Sequence, residues 1–213
     1  MECKGFAFYS HNRPVMDLNT TDTVGSLTDQ VSETDDVQLP WYAVRLFSNN
    51  LLKARSYFDE QAVVYFIPMQ YYDYEDANGR HRRKLRPVVS NLIFVKKTMT
   101  THAMAELMHK SEIKMAVMTK SRENREYYEI PPKQMSEFQT MCNPELEMRK
   151  FLSSEEAKVK VGTPVMVSHG PLKGLTGRLV RQSHKYFLLK EVPGMGVMLK
   201  VSRWCCKPLA NDE

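Results

Sequence analysis

Apolar and polar positions fall into three textures along the 213 residues. Residues 1–39 hold eight Ser/Thr, seven acids and no periodic apolar pattern, which predicts a disordered acidic leader. Apolar order begins abruptly at Trp41. Trp41-Tyr42-Ala43-Val44-Arg45-Leu46-Phe47 has the aromatic and β-branched content of a strand. Ser48-Asn49-Asn50 offers N-cap side chains, and Leu51, Ala54, Phe58 and Ala62 then recur at helical spacing. Val63–Ile67 predicts a second strand, closed by Pro68. The pair Asn78-Gly79 predicts the tip of a hairpin. Val88–Val95 predicts a central strand, Ala103–His109 a short helix and Lys114–Met118 a weak strand. Lys133–Met141 predicts a helix with Pro131-Pro132 at its start, where a missing N–H costs no hydrogen bond. Strands interleaved with helices in this way predict an α+β sandwich over residues 40–142.

Residues 143–158 are polar and predict a linker with some helical propensity. Beyond Val159 the texture changes. Apolar residues alternate in Val165-Met166-Val167, Lys185–Leu189 and Val197–Val201, and Gly/Pro pairs fill the connections. Short strands at this spacing predict a small all-β barrel over residues 159–213. Helix-interior Gly and Pro cost about 1 and 3 kcal/mol each. The residues at 162–177 and 193–196 therefore favour a constitutive barrel over a helical hairpin.

Charge adds a division that the apolar pattern does not show. The formal net charge is +5. Residues 1–39 carry seven acids against Lys4 and Arg13, a net of −5, so residues 40–213 carry +10, with 28 bases and 18 acids. A basic body points to a polyanionic partner and says nothing about fold. From Arg80 to Lys97 there are seven Lys/Arg and no acid.

Several classes are excluded. No apolar run approaches the roughly 18 residues of a membrane span, and no signal peptide is expected. Cys3, Cys142, Cys205 and Cys206 form no C-x-x-C, so neither a disulfide framework nor a standard zinc site is expected, and reduced thiols in the cytoplasm are. There is no P-loop, G-x-S-x-G or H-E-x-x-H. His102 and His109 have no carboxylate or Cys to complete a metal site. An enzyme, a metal and a cofactor are not expected.

The sharpest motif is Gly162-x-x-Val165-x-Val167-x-x-Gly170-Pro171-Leu172-Lys173-Gly174-x-x-Gly177-x-Leu179. Val165 and Val167 share one face of a strand, Gly170-Pro171 makes a turn, and Gly174 and Gly177 permit positive φ or close backbone approach. An SH3-like barrel with glycine corners satisfies the same pattern. The motif closely resembles the KOW motif of transcription elongation factors and some ribosomal proteins. Together with the Trp41-Tyr42 strand and the strand ending Phe66-Ile67-Pro68-Met69, residues 40 to about 209 resemble the NusG family, an NGN domain followed by a KOW domain. Within it, Asp59–Val63 running into Ile67-Pro68-Met69, and Asn91–Val95, resemble specialised paralogues of the RfaH type and the NusG-like antiterminators of Bacteroides polysaccharide operons. The chain departs from the family at Val89-Ser90-Asn91-Leu92, where Phe-Pro-Gly-Tyr is usual, at Thr163 and at Leu172.

The resemblance implies a factor that binds RNA polymerase across its cleft, suppresses pausing and promotes read-through of a limited set of long operons, such as those for surface polysaccharide. It implies a groove on the β′ clamp helices formed by Trp41, Val89, Leu92 and Val117, with the opposite side reaching the β lobe. Plain core is the alternative role for each. It also implies contact of the first helix with the non-template DNA strand. Asn49, Asn50, Lys53 and Tyr57 are the candidates, since a cation and an aromatic suit single-strand recognition. The basic arm Arg80, Arg82, Arg83, Lys84 and Arg86 is a second candidate for upstream DNA or nascent RNA. A solvated edge that deters sheet aggregation explains it equally. The KOW domain implies a ribosomal protein or Rho as a further partner of a monomer. The alternatives are a housekeeping elongation factor of the same family and a ribosome-associated KOW-type RNA-binding protein.

Overall fold

The computed structural model describes residues 39–209 apart from 122, 124 and 147. The expected acidic leader lies, except for Leu39, outside the described residues. The chain runs β1 (Trp41–Leu46), α1 (Leu51–Glu60), β2 (Tyr65–Phe66), β3 (Met69–Glu75), β4 (His81–Pro87), β5 (Leu92–Lys96), α2 (Thr101–Lys110), β6 (Met115–Val117), β7 (Glu129–Ile130) and α3 (Pro132–Met141). It continues β8 (Arg149–Ser153), α4 (Ser154–Val159), β9 (Thr163–Val167), β10 (Thr176–Gln182), β11 (Lys185–Val192), β12 (Met195–Val201) and β13 (Cys206–Pro208). This is the expected α/β sandwich followed by a strand-rich domain.

The first sheet has the order β2-β5-β1-β6, with β7 also paired to β1. Its two faces follow from the period of two. Tyr42, Val44, Leu46, Ile93 and Val95 pack on Ala54 and Phe58 of α1 and Met104 and Leu107 of α2. Ala43, Leu92 and Phe94 point the other way, against Met135, Phe138 and Met141 of α3. Both faces are buried, which is why Leu92-Ile93-Phe94-Val95 reads as a continuous apolar run. The expected strand from Val88 begins only at Leu92, because residues 88–91 form a bend whose Asn91 carbonyl accepts from Leu46 N–H at 2.9 Å. β3 and β4 form a separate two-stranded ribbon.

The second sheet has the order β13-β9-β10-β11-β12-β8. Within the stretch expected to link the domains, β8 pairs with β12 and α4 starts on a reciprocal cap. Ser153 Oγ accepts from Glu156 N–H at 3.2 Å, and the Glu156 carboxylate accepts from Ser153 N–H at 2.9 Å. The motif glycines do what their positions require. Gly174 has φ +92°, and a Cβ on Gly177 would lie 2.6 Å from the Leu189 carbonyl oxygen. Val165 and Val167 are buried together, as expected of one strand face.

The two domains share one core. Leu92, Phe94, Ile130, Met135 and Phe138 of the first form a single apolar cluster with Val165, Leu188, Val192, Met195 and Val197 of the second. α3 is the layer between them.

Candidate functional site

The residues expected at a polymerase groove are divided by the sheet. Trp41 and Val89, both half-buried, pack on the same cluster as the buried Leu92, on the face turned toward the β domain. Val117 pairs with Val44 and is buried on the opposite face, among the side chains of α1 and α2. Three residues thus share a surface and the fourth does not. That surface is covered. The β11–β12 turn, Pro193-Gly194, rests on it so closely that a Cβ on Gly194 would come within 2.9 Å of Leu92 Cδ2 and 3.4 Å of Met118 Sδ.

The cover is fixed by polar contacts. Lys190 of β11 donates to the Glu137 carboxylate of α3 and, at 3.1 Å each, to the carbonyl and hydroxyl oxygens of Thr176. Thr176 N–H and Oγ1 donate to Glu137 at 3.2 and 3.0 Å. Gln134 Nε2 donates to the Glu191 carbonyl at 2.7 Å.

The β3–β4 ribbon is the most exposed element. Its register pairs Gln70 with Arg86, Tyr72 with Lys84 and Tyr74 with Arg82 on one face. The other face pairs Tyr71 with Leu85, Asp73 with Arg83 and Glu75 with His81. The first face therefore carries three cations, two tyrosines and no acid. The second carries the internal contacts: Arg83–Asp73 at 3.4 Å, Arg83 stacked on Tyr71, and Tyr71 Oη donating to Glu145 at 2.8 Å. On the cationic face, Arg86 stacks on Tyr72 at 4.6 Å. Arg82 pairs with Asp76 at 3.1 Å, and the Arg80 N–H first, then the Arg82 guanidinium, hold the Asp76 carboxyl below its usual range. Arg80, Lys84 and Arg86 have no carboxylate partner among the described residues. The sequence reading selects Arg80, Arg82, Arg83, Lys84 and Arg86 and does not single out Tyr72 and Tyr74, which share a face with three of them. The period-two run Tyr72-x-Tyr74 opposite Arg82-x-Lys84-x-Arg86 carried the signal.

The candidates on α1 are differently placed. Asn50 occupies the N-cap position but makes no side-chain cap bond, while Asn49 Oδ1 accepts from Ser90 Oγ at 3.2 Å. Lys53 is exposed. Tyr57 is half-buried, its hydroxyl donates to the Leu107 carbonyl at 2.6 Å, and desolvation raises its pKa. That ring braces α1 on α2. In the barrel motif, Gly170, Pro171 and Lys173 form an exposed turn in which Lys173 N–H donates to the Gly170 carbonyl at 3.1 Å, and Gly162 packs against the Leu179 backbone.

Among curated proteins none matches the chain. A family model does match, from the residue before Pro40 into α3. Residues 39–139 match the model of the NusG family, described as transcription termination factor nusG.

Proposed function

We propose that the chain is a transcription elongation and antitermination factor that engages RNA polymerase through the face carrying Trp41, Val89 and Leu92. The observation that carries this reading is the match of residues 39–139 to the NusG family model, together with the clustering of Trp41, Val89 and Leu92 on one face. The same face is held under the β11–β12 turn, so engagement requires the β domain to lift away. Polymerase then competes with an internal partner, and affinity is reduced by the fraction of molecules that are closed. Bridging the polymerase cleft disfavours its opened, paused state, a population shift with no bond made or broken. The cationic face of the β3–β4 ribbon would meet a nucleic-acid strand beside the enzyme. Action on a limited set of long operons, such as those for surface polysaccharide, draws its support from the departures at Val89–Leu92 and from the basic ribbon. The β domain, once released, is free for a ribosomal protein or Rho.

The test is retention of core polymerase by the full chain and by a Glu137→Ala variant. Binding that strengthens in the variant and is lost on Leu92→Asp supports the reading. No retention by either protein overturns it.

A further inference from the structure

On the β domain, the β10–β11 turn, the end of β12 and the turn at Arg203–Cys205 enclose an open cleft of about 630 Å³. His184, Lys185, Tyr186, Lys200, Arg203 and Trp204 line it, and no lining residue is acidic. We infer that this cleft binds a single strand of nucleic acid, holding phosphates on its cations and stacking bases on Trp204 and Tyr186. The site is separate from the polymerase-facing surface, and the inference stands whether or not that surface binds polymerase.

Trp204 lines this cleft from the turn at Arg203–Cys205. Its indole is 76% exposed, the largest apolar side chain left in water among the described residues, and its nearest ring neighbour is His169 at 6.1 Å between centroids. An exposed indole gains from a flat, polarisable partner. Tyr186 is next. The guanidinium carbons of Arg181 and Arg203 each lie 5.8 Å from its ring centroid, which holds both forks beside an aromatic surface. Arg181, Lys185, Lys200 and Arg203 have no carboxylate within ion-pair distance among the described residues. Four uncompensated cations around two aromatic rings are the two ingredients of single-strand recognition. In a duplex the bases are already stacked, so the rings would gain nothing. An acidic peptide would satisfy the cations and leave the indole bare.

The backbone at the mouth of the cleft fits a constrained site. Gln182 pairs with Lys185, so Ser183-His184 is a two-residue turn, with φ +48° and +59°. Such turns favour Asn and Gly at these positions. Here neither is present, and the strain presents His184 and Lys185 at the rim.

DNA and RNA strands share this chemistry, and the experiment separates them. Twelve-nucleotide oligo-dT, oligo-U and a twelve-base-pair duplex are titrated into the full chain at low salt, following Trp204 fluorescence, with Trp204→Phe as the control that retains only Trp41. Saturable quenching by oligo-dT or oligo-U, absent from the control, is expected, and the arm that binds more tightly identifies the strand. Tyr186→Leu should weaken binding about tenfold. Lys200→Ala with Arg203→Ala should lower the slope of log affinity against log salt by about 1.4, at about 0.7 per phosphate on a single strand. Anisotropy that reports binding with no Trp204 response would place the strand elsewhere, on the β3–β4 ribbon, and overturn the inference. So would tighter binding of the duplex, or equal quenching by poly-glutamate.

Discussion

Lys190 and Glu137 form an ion pair across the domain boundary, with side chains only 12% and 9% exposed. A pair this buried is costly to desolvate, and its stability depends on the remaining donors and acceptors being satisfied. Thr176 does that, giving two donors to Glu137 and two acceptors to Lys190. Polar contact and apolar cluster therefore act together to hold the β domain over Leu92.

Removing one member leaves the other charged and buried, which costs about 3 kcal/mol or more unless the site opens to water. Opening the boundary to water relieves that charge, against the apolar cluster that holds the domains together. Glu137→Ala is expected to separate the domains while each stays folded, seen as an increased radius of gyration in solution scattering. Glu137→Met with Lys190→Met removes both charges and should keep the closed form. Equal opening in both variants would show that the pair does not direct the closure.

Gly194 makes a second, steric contribution. Val192 pairs with Met195, so Pro193-Gly194 occupies the centre of a turn in which proline presets one φ and glycine supplies +96° at the other. Gly194→Val places a branched side chain in that conformation and drives its Cβ into Leu92. We expect a loss of about 2 kcal/mol in stability or release of the turn. Thermal unfolding together with the Leu92 methyl shift reports which. An unchanged methyl environment with unchanged stability would exclude the contact.

The elements of the first domain were legible because its sheet and helices announce themselves locally. Leu51, Ala54 and Phe58 predict α1, and the apolar run at Leu92–Val95 predicts a strand buried on both faces. The glycine spacing at 162–177 likewise predicts tight strand corners. What could not be read was the meeting of the domains. Glu137 and Lys190 are 53 residues apart, and nothing in either neighbourhood marks it as paired. The resemblance places Leu92 in a groove, and nothing near it in sequence shows that its cover comes from Gly194, about a hundred residues later. The resemblance groups Val117 with Leu92, whereas the register of β6 on β1 sends it to the other face. Tyr57 shows a related limit: helical spacing gives its face, and only the tertiary contact shows that its hydroxyl is committed to Leu107.

The ribbon offers a test with little structural risk. Lys84 and Arg86 are exposed and lack carboxylate partners among the described residues, so their replacement by Ala should change stability by no more than about 0.5 kcal/mol. On single-stranded oligonucleotides the double variant is expected to reduce the salt slope by about 1.4. Tyr72→Ala should weaken binding at all salt concentrations and leave the slope unchanged, because stacking is not screened. Filter binding across a salt series separates the two. A slope that falls equally with Tyr72→Ala would contradict this division of labour.

The strained Ser183-His184 turn predicts a stabilising exchange. Asn-Gly tolerates positive φ at both positions, so Ser183→Asn with His184→Gly is expected to raise stability by about 1 kcal/mol. Chemical denaturation measures it. If the inferred cleft uses His184, the same variant should bind oligonucleotide less well while being more stable. A destabilised variant would mean that the native side chains make compensating contacts.

Glu129 and Lys97 give the first domain a pH signature. Lys97 Nζ lies 2.5 Å from Glu129 Oε1, and Tyr42 Oη donates to the same oxygen at 3.2 Å. The Lys97 hydrogen bond is the main cause holding the Glu129 carboxyl below its usual pKa, with Tyr42 adding to it, and the same bond raises the pKa of Lys97. For a carboxylate with a depressed folded pKa, the stabilisation is present above the unfolded value of about 4.3 and is lost as pH falls through the folded pKa. For the raised lysine it is present below about 10.4 and is lost as pH rises through the folded pKa. The contribution is therefore largest between these limits. Both groups are partly exposed, so salt screening keeps it modest. Glu129→Gln keeps an acceptor for Tyr42 and removes the charge. Its melting temperature should fall below that of the parent protein at neutral pH, and the gap should close as the solution is acidified through the carboxylate range. A gap that stays constant down to pH 2 would mean that the loss comes from packing around Tyr42, and that the Lys97–Glu129 pair contributes no pH-dependent stability.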